Sequence, residues 1–309
     1  MASAVTPELL TLGEAFEDLV FLGLERLPKA GEEVRTSDFV RTVGGGAVIT
    51  AVAAARLGLA CGIYSALGPP AVARLKAENV TIRNLKRSAE AHAISAALST
   101  RDNRSFVTFN GVNDVLEDRL LSRAADIRAR HVHFAFCPRD CKRWMPQLSG
   151  LRRRGITTSW DFGWNESLPG DPAFLPLVAE LDVFFLNDQE ARLYSGRRTL
   201  SAAVSAWRRS ERTVIIKLGE QGSRWLSRTA DIHVRAPRAR VIDTTGAGDA
   251  FNGGFLTASL RGHGPTDALR LGNRVGALST RAAGGVDGLP LAADVPARLL
   301  RPTQAKASR

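Results

Sequence analysis

Asp243-Thr244-Thr245-Gly246-Ala247-Gly248-Asp249-Ala250-Phe251-Asn252-Gly253-Gly254-Phe255 lies near the C-terminal end of this 309-residue chain. A β-prone stretch, residues 239–242, runs into the glycines, and a helix of small residues is expected directly after them. A helix that opens on a glycine turn presents free backbone N–H groups and the positive end of its dipole, and both attract an anion. Asp249 lies at the mouth of that cup, where a carboxylate should be repelled by a phosphate. It belongs there if it acts as a base on a hydroxyl that attacks the phosphate. The stretch therefore reads as phosphoryl-transfer machinery.

The bulk numbers leave room for that reading. The length suggests about two domains, although α/β chains of this size also form one core with an appendage. Hydrophobic residues make up 44% and charged residues 24%, as in ordinary globular proteins. No apolar run approaches the roughly 18 residues that would cross a bilayer, so no membrane partner is expected. No secretory leader is read at the N-terminus, and a cytoplasmic location follows as the default. The net charge of +11 invites a nucleic-acid partner. Against it, only six of the 42 basic residues are Lys, and the arginines are spread along the chain without a dense block beside stacking aromatics. No nucleic acid is expected.

Three cysteines do not make a disulfide framework. His131, His133, Cys137 and Cys141 have two readings. Alternation puts both histidines on one face of a strand, and on that reading four soft ligands converge on zinc. The other reading is a strand running into a loop, with the cysteines as small buried apolar residues.

Residues 9–13 and 19–24 are strand candidates, and residues 27–33 are a turn-rich link. Residues 50–57 form an Ala-rich helix closed by Gly58. Residues 61–67 read as a buried strand, and 93–98 with 104–109 as a hairpin turning at Asp102-Asn103. From there strands at 131–136, 157–160, 183–186 and 213–218 alternate with helices at 142–154, 188–194 and 200–208, and a last helix covers 265–283. That rhythm predicts a three-layer α/β/α sandwich with a mostly parallel central sheet. The β-rich pieces, about 14–43 and 91–111, are expected to pair into a small separate sheet. Residues 1–300 read as one domain and 301–309 as a frayed basic tail.

The 243–249 run resembles the second signature of the ribokinase-like (PfkB) carbohydrate kinases, D-T-x-G-A-G-D, at every specified position. Gly44-Gly45-Gly46 followed by the Ala-rich stretch to Gly58 is similar to that family's first signature. Asn187-Asp188-Gln189-Glu190 reproduces its N-x-x-E motif, which the same spacing also allows to be a helix cap with its partner three residues on. The motifs come in the family's order over about residues 9 to 300. The resemblance implies the fold above, with the small sheet as a lid over the sugar site. It also implies an ATP-dependent, magnesium-requiring kinase that phosphorylates a hydroxyl of a small sugar or sugar derivative. Asp249 would be the base, and the amides of Gly246, Ala247 and Gly248 would neutralise the growing charge. Asp18, Gly44, Gly45 and Ile49 would meet the acceptor, and Lys217, Gly219, Gly222 and Asn273 the nucleotide. Asn187 and Glu190 would hold Mg2+, directly or through water. Asp243 and Thr245, with backbone from about 278 to 284, resemble the family's K+ site.

Two departures matter. Ile49 stands where the family usually carries an Asn that bonds a sugar hydroxyl, so an acceptor with an apolar or deoxy feature is expected. Residues 68–71 read as a shortened loop on the substrate side. A nucleoside kinase of the same fold, or a non-catalytic relative that binds sugar or nucleotide, are the alternatives. No G-x-x-x-x-G-K-[ST] run occurs, which excludes a P-loop kinase on pattern. The assembly stays open, a homodimer included.

Overall fold

The computed structural model describes residues 6–100 and 104–303. In chain order its strands are β1 (Leu9–Gly13), β2 (Phe16–Leu24), β3 (Asp38–Gly44), β4 (Cys61–Ser65), β5 (Thr81–Asn84), β6 (Ile94–Thr100), β7 (Arg104–Phe109), β8 (His131–Ala135), β9 (Thr157–Asp161), β10 (Val183–Asn187), β11 (Thr213–Lys217), β12 (Ser223–Leu226) and β13 (Asp231–Val234). Nine of them form one sheet in the order β13-β12-β11-β10-β9-β8-β1-β4-β5. From β5 through β11 every neighbouring pair is parallel, and the pairings of β12 are antiparallel.

Both faces of the large sheet are covered. Helices α1 (Gly46–Arg56), α2 (Pro69–Ala77), α8 (Ala247–Leu260) and α9 (Pro265–Ser279) bury one face. Helices α3 (Leu116–Arg123), α4 (Cys141–Arg153), α5 (Phe174–Glu180), α6 (Asp188–Ser195) and α7 (Leu200–Trp207) bury the other. Continuous apolar strands such as Phe184-Phe185-Leu186 follow from burial on both sides. The second core is aromatic, with Phe134 stacked on Trp160 at 4.4 Å and Trp160 on Phe162 at 4.9 Å. Alternation along β9 sends Trp160 into that core and Asp161 to the opposite face.

Glycines set the approach of the helices. A Cβ on Gly253 would lie 2.6 Å from that of Ala53, and one on Gly254 would lie 2.8 Å from Val275 Cγ2. The Gly-Gly pair thus lets α8 wedge between α1 and α9, which an Ala-rich α1 also permits. The remaining strands form a separate sheet, β3-β2-β6-β7.

Several details differ from the sequence expectations. Residues 239–242 form no strand: Val241 and Ile242 are more than half exposed, and the amides of Ile242 and Asp243 both turn to the Thr280 carbonyl, at 2.7 and 3.1 Å. The last helix stops at Ser279 rather than 283. Residues 69–71 already belong to α2, with Gly68 as its cap and prolines in the first turn, so only a short link follows β4. The turn at Asp102-Asn103 and residues 304–309 of the tail lie outside the described residues. No helix among the described residues is long and apolar enough to cross a membrane.

Candidate active site

The strand order reverses beside β1: the chain runs one way through β4 and β5 and the other way from β8. Ligands in open α/β sheets bind outside the carboxyl ends of strands at such a point. Those ends here are Gly13, Ala135, Asp161, Asn187 and Lys217. The 243–249 loop and the start of α8 close over them.

Gly246 caps α8 in the left-handed conformation, at φ 70°, and Asp249 follows in the first turn. The start of α1 faces it. A Cβ on Gly46 would sit 2.9 Å from Asp249 Oδ1, and Thr50 Oγ1 donates to the Asp249 carbonyl at 3.1 Å. The two glycine signatures are thereby brought against each other. Of the three amides expected in the anion cup, that of Ala247 closes the turn onto the Thr244 carbonyl at 3.2 Å. This leaves the Gly246 and Gly248 amides as the better candidates.

Behind Asp249 lies a buried charge cluster. Lys217 Nζ pairs with Asp161 Oδ2, which also accepts from Asn252 Nδ2 at 2.7 Å. A Cβ on Gly248 would come within 3.2 Å of Lys217 Nζ, so the ammonium lies beside the glycine loop. Burial pushes the Asp249 carboxyl up to about 7, the Asp161 and Glu190 charges add to the rise, and Lys217 opposes it. Glu190 is likewise pushed up to about 7 by burial and then by Asp161. Asp161 is also buried, yet the Lys217 charge and its hydrogen bonds hold it below its ordinary value. Asp161, Glu190 and Asp249 thus all act on the one buried Lys217 ammonium, which pairs directly with Asp161 alone.

Asn187 Oδ1 accepts from the Glu190 amide at 2.8 Å, and Glu190 Oε2 from the Asn187 amide at 2.7 Å. The capping box is thus formed, and it fixes both side chains at the carboxyl end of β10.

On the acceptor side, Asp18 of β2 lies against Gly44. A Cβ on Gly44 would meet Asp18 Oδ2 at 2.0 Å, and one on Gly45, at φ 95°, would strike the Glu14 carbonyl. Burial, then the nearby Asp243, pushes the Asp18 carboxyl up to about 7. Ile49 is only 2% exposed. Its Cδ1 fills the space beside Gly246 and Gly285, 2.5 Å from where a Cβ on either would be, so it backs the glycine loop.

A family model for PfkB carbohydrate kinases matches residues 6–292. The chain belongs to the PfkB family of carbohydrate kinases. It is 26% identical to the ribokinase of Mus musculus, covering 94% of each chain, and 28% identical to the 2-dehydro-3-deoxygluconokinase of Bacillus subtilis (strain 168), covering 82% of this chain and 85% of that one. The fold matches an E. coli chain assigned as a ribokinase II and solved with ATP and Mg2+. The TM-score is 0.77 at 21% identity, over 93% of this chain and 97% of that one.

As an ATP-dependent carbohydrate kinase, this PfkB protein must hold nucleotide and sugar at once. Gly219 has open space at its α-carbon, whereas a Cβ on Gly222 would strike the Val234 carbonyl at 2.0 Å, so Gly222 shapes the β11–β12 turn. Asn273 is buried on α9 and donates to the Val234 carbonyl at 2.9 Å, tying that helix to β13. Lys217, expected at the nucleotide, pairs with Asp161 and keeps its ammonium beside the Gly248 turn.

The roles of Asp161 and Asn252 were not assigned from sequence. The available signals were an acid at the end of a strand, and an amide three residues after Asp249 on the same helix face. The histidines and cysteines do not converge. His131 and His133 both bond Ser159 Oγ at 2.8 Å within the sheet, and Cys141 sits in the opposite core. Among the described residues no group of three or more metal-ligating side chains is gathered.

Proposed function

We propose that this kinase transfers the γ-phosphoryl group of ATP to a hydroxyl of a small deoxy sugar or sugar acid. The observation that carries the proposal is the meeting of Asp249, the glycine turn before it and Gly46 at one point. Asp249 accepts the hydroxyl proton, and a carboxyl poised near 7 is well matched to that task. The amides of Gly246 and Gly248, with the Lys217 ammonium beside them, offset charge on the transferred group. Mg2+ would supply charge neutralisation at the phosphates, and Glu190 and Asn187 would hold it. Gly219 leaves the β11 end open to the nucleotide phosphates.

Asp18 accepts hydrogen bonds from hydroxyls of the acceptor, steadied by Gly44 and Gly45. Ile49 presents no polar atom where the family's usual Asn would. An acceptor lacking one hydroxyl is favoured there, and the name of the Bacillus subtilis relative points to a substrate of that kind.

The test is ATP- and Mg2+-dependent phosphate transfer to a panel of sugars, deoxy sugars, sugar acids and nucleosides, with Asp249→Asn as control. Transfer to a deoxy sugar or deoxy sugar acid, lost in the variant, supports the reading. Transfer to nucleosides alone, or no transfer with any acceptor, overturns it.

A further inference from the structure

Asp243 and Thr245 resemble potassium ligands in sequence, yet a cation of the chain already lies on them. Arg104 opens β7 in the small sheet. Its Nη2 is 2.7 Å from Asp243 Oδ1, and its Nη1 donates to Thr245 Oγ1. Its Nε donates to Ser99 Oγ of β6 at 3.1 Å, which fixes the orientation of the fork. The Asp243 side chain is 1% exposed. Asp243 Oδ1 also accepts from the Thr245 amide at 2.7 Å, and Oδ2 from the Gly284 amide at 2.9 Å. The Thr280 carbonyl, within the stretch expected to offer backbone oxygens, takes the amides of Ile242 and Asp243. Hydrogen-bond donors thus already engage these oxygens, and a potassium ion fits them poorly.

We propose that the Arg104 guanidinium takes the place of a monovalent cation, so that this kinase orders its anion-binding loop with a charge carried by its own lid sheet. The two cations carry equal charge. They differ in that a guanidinium stays protonated and presents donors in a fixed planar fork, and its presence does not vary with salt. It joins a carboxylate and a hydroxyl that flank the start of the turn leading to Gly246 and Asp249. Arg104 is thereby a positioning residue. A small-sheet strand also becomes part of the catalytic loop's support, coupling the sheet over the sugar site to the turn that receives phosphate. Only the catalytic consequence rests on the phosphoryl-transfer reading; the cation replacement itself does not.

The experiment compares wild type, Arg104→Met and Arg104→Lys in tetramethylammonium chloride and in KCl at equal ionic strength. It reads melting temperature, MgATP affinity and thallium-205 NMR for a bound monovalent ion. Wild type is expected to melt alike in both salts, to bind MgATP within about twofold in each, and to show no bound thallium. Arg104→Met is expected to melt lower in tetramethylammonium, to regain part of that loss in KCl, and to bind thallium. Arg104→Lys should stay closer to wild type. Bound thallium or a potassium-specific gain of more than about threefold in affinity in wild type overturns the proposal. So does an Arg104→Met protein that equals wild type in both salts, or that loses stability without gaining a potassium response. If Arg104→Met does not fold, wild type and Arg104→Lys decide. Failure of MgATP to bind any form would count against the kinase mechanism rather than against the cation replacement, which the melting and thallium readouts test separately.

Discussion

Gly46 touches Asp249: a Cβ on the first residue of α1 would lie 2.9 Å from Asp249 Oδ1 and 3.0 Å from the Cβ of Ala135. The glycine of one signature therefore sets the position of the carboxylate of the other. Gly46→Ala should push the carboxylate off its line to the attacking hydroxyl. Misplacement by about 1 Å costs roughly 10²-fold in rate, so turnover should fall by about one to two orders of magnitude. Nucleotide affinity should change little, because the displaced group faces the acceptor. A Gly46→Ala enzyme with wild-type kcat would show that this contact is packing alone.

Asp249→Asn keeps the shape and removes the proton acceptor, and general-base catalysis is typically worth about 10²–10⁴ in rate. A loss of that size in kcat is expected, with nucleotide binding retained in a titration. Near-normal turnover in the variant would exclude Asp249 as the base.

The same carboxylate sets the pH dependence. With burial holding Asp249 near 7, the base is protonated and inactive below that pH, so kcat/KM should rise with pH through about 7 and then level. Lys217 pulls that value down by its charge. Lys217→Gln should move the acid limb to higher pH, and a limb left in place would mean that the ammonium does not act on Asp249.

How much of this was legible follows from where each signal resides. Local runs such as residues 243–249, 44–46 and 187–190 carried the glycine turns, the carboxylate beside them and the capping box, because turn chemistry is written in adjacent residues. The parallel strands were equally readable, since their apolar runs are contiguous. The Asp161–Lys217 pair spans 56 positions and the Arg104–Thr245 contact 141, and no local pattern announces either. Residues 239–242 misled because their β-branched pair has strand propensity, but no neighbouring strand is there to use it.

Asp18 links the site to stability. Its carboxyl is raised from an ordinary value of about 4 to about 7, chiefly by burial. A raised carboxyl contributes stability that is present below its unfolded value and is lost as pH rises through the folded one. Asp18→Asn should therefore raise the melting point of the ligand-free enzyme at pH 8, by about 2 °C or more, with the gain shrinking toward pH 5. Activity should fall as the acceptor loses its charged partner. Equal melting points for both forms at pH 8 would remove the argument that Asp18 is held at a cost for the acceptor's sake.

Ile49 tests the choice of acceptor. Its side chain is buried against Gly246 and Gly285, and it stands where a polar contact to a sugar hydroxyl is usual in the family. A buried hydroxyl left without a partner costs about 1–3 kcal/mol, or roughly 5- to 150-fold in kcat/KM. Wild type should therefore be a weak ribose kinase and prefer an acceptor with hydrogen or an apolar group at that place. Ile49→Asn should improve ribose or fructose use relative to the deoxy acceptor, while lost packing under the glycine loop lowers overall turnover. Kinetics with a matched pair of hydroxyl and deoxy acceptors separates the two effects, since loosened packing lowers both acceptors alike and only a polar contact changes their ratio. If wild type uses ribose efficiently and the ratio stays fixed in the variant, Ile49 supports the loop without choosing the acceptor.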